Sequence, residues 1–244
     1  MDKKSISTPD INERSEDFFS YLSTQINTET WEFIRRVSKF SDVLIFSGVI
    51  RNFFLNHKGK IRDLDLVFNC QEKYLTSLLK GMQYRKNSFG GYKIVIDDLN
   101  IDFWHIDNTW AFQKAKVNSL LFKDQNLVDT TFFNFSSIVY SLNRKEFIFN
   151  SNFLSFLNEK RLDFVLEDNP LPQLCIVNTI YYKVQFNLEI SERLKKYFVD
   201  NFSKYDESDY DCVQHKHFQQ NIYSYEYLKT YYRIFKKDLK LKEH

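Results

Sequence analysis

Hydrophobic positions recur at two different spacings along this chain, and the change from one to the other sketches its organisation. Between residues 10 and 40 the spacing is helical. Phe18, Phe19, Leu22 and Ile26 form one stripe; after a break at Asn27-Thr28, Phe33, Val37 and Phe40 form another, with Trp31 and Ile34 alongside. From residue 43 the spacing shortens. Val43-Leu44-Ile45-Phe46 predicts a buried strand, and strands follow over 63–68, 92–97 and 100–106, the last two joined by a tight turn at Asp97-Asp98-Leu99. Helices are expected over 49–56 and 72–80, and strands at 128–132 and 146–150 extend the sheet. Helical spacing returns at Ser151 to Leu157 and dominates to the end, with Pro170 and Pro172 marking a helix start. The expectation is an α+β fold: a mixed sheet flanked by helices in a first domain, residues 1–155, and a mainly helical C-terminal domain, residues 156–244.

Strand alternation also sorts the acidic residues. In Asp63-Leu64-Asp65-Leu66-Val67-Phe68, Asp63 and Asp65 share a face while Leu64, Leu66 and Phe68 enter the core. Two aligned aspartates suit a hard dication such as Mg²⁺ (or Mn²⁺), which takes a few carboxylate oxygens and completes its shell with water and substrate phosphates. Asp102 has Ile101 and Phe103 on the opposite face, and completes a triad if its strand adjoins theirs. Asp97 and Asp98 read as turn residues. Upstream, Ser47-Gly48-Val49-Ile50-Arg51-Asn52 is a glycine turn leading from a strand into a short helix. The leading N–H groups and dipole of such a helix suit a triphosphate, with Ser47 and Gly48 as the cradle and Arg51 and Arg62 as clamps. Each piece alone fits a solvated strand end or an ordinary turn; their order along the chain is what points to chemistry on a nucleotide.

In that order the motifs resemble the polymerase-β-type nucleotidyltransferase superfamily, specifically the head and neck of class II tRNA nucleotidyltransferases and bacterial poly(A) polymerases. The family pattern G-G-x-V-R-D followed by D-x-D is matched at Gly48, Arg51, Asp63 and Asp65, with Ser47 replacing the first glycine and Asn52 the aspartate. Thr131-Phe132-Phe133-Asn134-Phe135-Ser136-Ser137-Ile138-Val139-Tyr140 resembles the family's R-D-F-T-I-N-A-L-A-Y. Glu167-Asp168-Asn169-Pro170 with the helical run through Phe186 resembles its E-D-P-x-R-x-L-R neck. The resemblance implies a nucleotidyltransferase head, an NTP substrate, and two metal ions on the acidic residues that activate a hydroxyl nucleophile and steady the departing pyrophosphate. An RNA or tRNA end is the acceptor it suggests. The departures are specific: Thr131 and Phe132 stand at the family's arginine and aspartate, Ser136 stands at its asparagine, and Lys183 is the only basic residue between Leu162 and Glu192. The neck arginines that read the base are therefore missing, and CCA addition is not implied. The length of 244 residues suits a head and a neck without the helical body and tail that grip tRNA in that family.

Composition narrows the class further. A 43% hydrophobic content supplies a packed core, and 25 Phe and 15 Tyr against 5 Gly make that core one of rings. No run approaches the roughly 20 apolar residues of a membrane span, and the N-terminus lacks a signal-peptide core, so a cytoplasmic protein is expected. Cys70, Cys175 and Cys212 are too dispersed for a disulfide framework or a paired-cysteine zinc site and read as small buried hydrophobes. His215 and His217 would leave a helix on different sides, which disfavours zinc; His105 reads as a hydrogen-bonded core residue. The formal net charge of +2 carries no overall nucleic-acid signature. Near the end, Lys229, Arg233, Lys236, Lys237, Lys240 and Lys242 accompany Tyr223, Tyr225, Tyr227, Tyr231 and Tyr232 in a final helix. That helix could hold RNA, but an inward aromatic stripe of Tyr227, Leu228, Tyr231, Ile234 and Phe235 is the favoured reading.

The expected activity is transfer of a nucleoside monophosphate from an NTP to a hydroxyl, with Asp63, Asp65 and Asp102 catalytic and metal-binding. The alternatives are a degenerate homologue that binds nucleotide, RNA or protein without catalysis, motivated by Ser47, Asn52 and the missing arginines, and a toxin- or defence-type transferase.

Overall fold

The computed structural model describes residues 5–46, 48–57, 59–86, 90–114, 116–118 and 121–241. The chain forms two compact units, one of Met1–Thr131 and Phe135–Asn158, the other of Phe132–Asn134 and Glu159–His244.

The first unit opens with α1 (Thr8–Asn12), α2 (Ser15–Gln25) and α3 (Thr28–Ser38). Asn27 breaks the second from the third because its side-chain oxygen accepts the Thr30 backbone N–H at 2.7 Å and caps α3. Then come β1 (Asp42–Phe46), α4 (Gly48–Phe54), β2 (Asp63–Asn69), α5 (Glu72–Leu78), β3 (Arg85–Lys86), β4 (Tyr92–Ile96), β5 (Leu99–His105), α6 (Trp110–Gln113), α7 (Lys123–Leu127), β6 (Ile138–Ser141), β7 (Glu146–Phe149) and α8 (Ser151–Glu159). The seven strands make one sheet in the order β3-β4-β5-β2-β1-β6-β7. Only β2 and β5 run parallel; the other neighbours are antiparallel, so the sheet is mixed as expected.

Pleating gives the sheet two unlike faces. On one, Leu64, Leu66, Phe68, Ile101 and Phe103 are fully buried against the helices, and rings pack among the aliphatic side chains. Phe18 meets Tyr140 at 4.8 Å between centroids, and Phe33 and Phe68 meet Phe103 at 5.6 and 5.5 Å. The other face is split. Leu44, Val67 and Val139 build a smaller core with Ile106, Phe112, Leu127 and Val128, whereas Asp63, Asp65 and Asp102 occupy the remainder.

One strand expectation is corrected. Val128–Thr130 is a 3₁₀ turn, and the strand that pairs with both β1 and β7 is Ile138–Ser141. Both segments are short and carry β-branched residues, but all four β6 residues are buried between two strands, while Val128 fills the small core from the side.

In the second unit, β8 (Arg161–Leu162) and β9 (Glu189–Ile190) pair in parallel around α9 (Pro172–Phe186), followed by α10 (Glu192–Phe202), α11 (Glu207–Phe218) and α12 (Tyr225–Lys240). Ser191, Asp206 and Ser224 cap the last three helices. Phe202 lies among Tyr210, Tyr225 and Tyr232, all within 5.3 Å between centroids. On α12 the inward stripe is narrower than expected. Leu228 and Phe235 are buried, but Tyr227 and Ile234 are 41% and 46% exposed and face outward.

Candidate active site

The site is a cross-strand row. At one level of the sheet, reading from β7 to β3, Ile148, Val139, Phe46, Asp65, Asp102, Lys93 and Arg85 stand in register. Directly opposite residues in neighbouring strands project to the same side, so the row passes from apolar through acidic to basic. Asp63 lies two residues before Asp65, on the same face and opposite Asn100. The parallel pairing of β2 with β5 is what brings Asp65 beside Asp102.

Burial and mutual repulsion make Asp65 the strained member. It is half-buried, and desolvation first, then the charges of Asp63 and Asp102, push its carboxyl up to about 7; Lys93 and Arg51 oppose the rise. Asp102 accepts an ion pair from Lys93 Nζ at 2.8 Å, with side-chain exposures of only 19% and 28%. Asp63 is nearer solvent and takes Arg62 Nη2 at 3.0 Å.

The glycine turn ends at this site because β1 and β2 are antiparallel, which sets Phe46, the last residue of β1, opposite Asp65. Ser47 lies outside the described residues. Gly48 opens α4, and a Cβ built there would meet Arg51 Nη2 at 3.9 Å, so the guanidinium borders the turn. Asn52 accepts from Arg51 Nε and Nη2 at 3.3 and 3.2 Å, and the guanidinium lies 5.2 Å from the Phe135 ring centre. Asn52 thus supports Arg51 where the family pattern has an aspartate.

The donor set suits a hard divalent cation by its chemistry. Asp63 and Asp65 offer oxygens, and the raised Asp65 carboxyl marks a place where positive charge relieves repulsion. Among the described residues, however, no trio of His, Cys, Asp or Glu side chains stands together as a ready ligand set. Lys93 holds the third carboxylate. The sequence reading does not single out Lys93, although its signal is present: a two-residue turn at Asp97-Asp98 places position 93 opposite position 102. Both turn residues have positive φ, 49° and 66°.

The other candidates are not members of this row. His105 Nε2 donates to the Cys70 carbonyl while Nδ1 accepts the Asp107 backbone N–H at 3.2 Å, a positioned ring as expected. Cys175 is buried, but Cys212 is exposed, which corrects its reading as a buried hydrophobe. Phe132 is buried among Phe133, Phe164 and Tyr197 in the second unit. Lys183 donates to the Leu188 carbonyl at 3.3 Å in that unit.

A mixed seven-stranded sheet with acidic residues on one strand pair, followed by helices, is the architecture these features define. Solved structures with a similar fold include CCA-adding enzymes and a tRNA nucleotidyltransferase. A CCA-adding enzyme in complex with CTP matches with a TM-score of 0.64 at 13% identity, covering 90% of this chain and 54% of that one. The Thermotoga maritima CCA-adding enzyme complexed with tRNA matches with a TM-score of 0.62 at 15% identity, covering 91% and 54%. A tRNA nucleotidyltransferase complexed with a primer tRNA and an incoming ATP analog matches with a TM-score of 0.57 at 14% identity, covering 80% and 58%. The chain therefore spans little more than half the length of these structures. No protein-family model and no curated protein matches the sequence.

Proposed function

We propose that this protein transfers a nucleoside monophosphate from an NTP to a hydroxyl acceptor, an RNA end and tRNA foremost, releasing pyrophosphate. The observation that carries the reading is the register of Asp65 with Asp102, beside the Gly48 turn, in a fold shared with enzymes solved with CTP, an ATP analog and tRNA. Asp63 and Asp65 would hold Mg²⁺ or Mn²⁺; when bound, the ion supplies charge neutralisation for the phosphates. Gly48 leaves room for a phosphate oxygen at the helix start, and Arg51, steadied by Asn52, would turn its guanidinium to the same group. Asp102 lies across the strand from Asp65 and would accept the acceptor's proton. Phe46 and Val139 exclude water from the apolar side of the row, which strengthens every charge interaction beside it.

Incubation with Mg²⁺ or Mn²⁺, each labelled NTP and total RNA tests the proposal. Label is expected to move to RNA, and Asp63→Asn or Asp65→Asn is expected to reduce transfer by at least about a hundredfold, a loss typical of removing metal support. Transfer that survives both substitutions would remove the mechanism. A second reading, a nucleotide-binding module without catalysis, draws on the engagement of Asp102 by Lys93. It predicts NTP binding with no transfer to any acceptor.

A further inference from the structure

Lys93 is the unexpected member of the acidic row. Its Nζ lies 2.8 Å from Asp102 Oδ2, both side chains are largely withdrawn from solvent, and the antiparallel register of β4 with β5 sets one opposite the other. The pair is thus built into the sheet, with no flexible loop bringing the lysine in. Its charge is also felt one strand further on, because Lys93 is among the groups that oppose the rise of the Asp65 carboxyl. A divalent ion ligated by Asp102 would have to displace this ammonium or sit against it, and the like charges of ammonium and metal repel strongly in a half-buried site. Among the described residues no ion pair joins Lys93 to Asp63 or Asp65, and the partner of Asp63 is the largely exposed Arg62, so Lys93 acts on these two carboxylates only from a distance.

We propose that Lys93 is a resident counter-cation: it occupies Asp102 in place of a metal ion, so that the site takes up one divalent cation, on Asp63 and Asp65 together with the nucleotide. The inference rests on the nucleotidyltransferase reading and deepens it, replacing the two-metal arrangement implied by the family resemblance with one metal and one ammonium. Lys93 is a positioning residue in this scheme. It orients the Asp102 carboxylate and fixes the charge beside it without touching the phosphates.

The test counts metal ions directly. Mn²⁺ is titrated into the full-length protein with a non-hydrolysable NTP analogue, bound ions are counted by electron paramagnetic resonance, and Lys93→Met, Lys93→Gln and Lys93→Arg are compared with the wild type. One Mn²⁺ per chain is expected for wild type and Lys93→Arg, and a second ion, bound at least tenfold more tightly than in wild type, for Lys93→Met and Lys93→Gln. Two ions in the wild type, or one in all four proteins, overturns the proposal. Asp63→Asn and Asp65→Asn separate this from failure of the site itself. If they leave Mn²⁺ binding intact, the nucleotidyltransferase site is misplaced; if they abolish binding of two wild-type ions, only the role of Lys93 is wrong. The wild-type count alone decides the matter should a lysine variant not fold.

Discussion

Asp65 concentrates the chemistry of the first unit in one carboxyl, and its behaviour with pH follows. Its ordinary value of 3.8 is raised to about 7 in the folded protein, by desolvation before all else. Below about pH 4 both folded and unfolded chains hold the proton, and the residue is neutral in the balance. As pH rises toward 7 the unfolded chain releases its proton first, so stability falls across that window; above it both states are ionised and the whole penalty is in place. Without metal, Asp65→Asn is therefore expected to stabilise the protein near pH 8 by roughly 2 kcal/mol, after allowance for solvent screening of a half-buried group. The gain should vanish near pH 3.5 in urea titrations. Added Mg²⁺ should raise the Tm of the wild type and leave that of the variant unmoved.

At the scale of elements, the β4–β5 hairpin decides which charges meet. Asp97 and Asp98 both have positive φ, the backbone of a two-residue turn whose twist matches its strands. Replacing them with Asn-Gly, the dipeptide best suited to that backbone, is expected to keep or raise the Tm. Asp97→Pro cannot adopt a φ of 49° and should destabilise by about 3 kcal/mol or more. It should also loosen the register of Lys93 with Asp102, visible as a change in Mn²⁺ stoichiometry. The aspartate strand and this hairpin were legible from alternation and turn residues, because both are local. The β6 strand was not. Residues 128–132 and 138–141 are both short and both carry β-branched residues, and the choice between them depends on which one can pair with β1, a contact formed across almost a hundred residues.

For the whole molecule, each of the two units has its own buried ring cluster, and we propose that the division is energetic as well as geometric. Phe202→Ala removes a ring from among Tyr210, Tyr225 and Tyr232 and is expected to cost about 3–5 kcal/mol in the second unit. Hydrogen exchange of the β2 and β5 amides in the first unit should stay within about twofold of wild type, since no core residue of theirs is altered. No helix among the described residues is long and apolar enough to cross a membrane. The order of Gly48, Arg51, Asp63, Asp65 and Asp102 along the chain, and the faces they would take in strands, are consequences of residue spacing, because pleating repeats every two residues whatever surrounds it. Which strands became neighbours across the sheet, and that Phe132 joined the second unit's core, were settled by pairing between distant segments. Such contacts are chosen by the burial and charge of the finished sheet, and no local pattern encodes them.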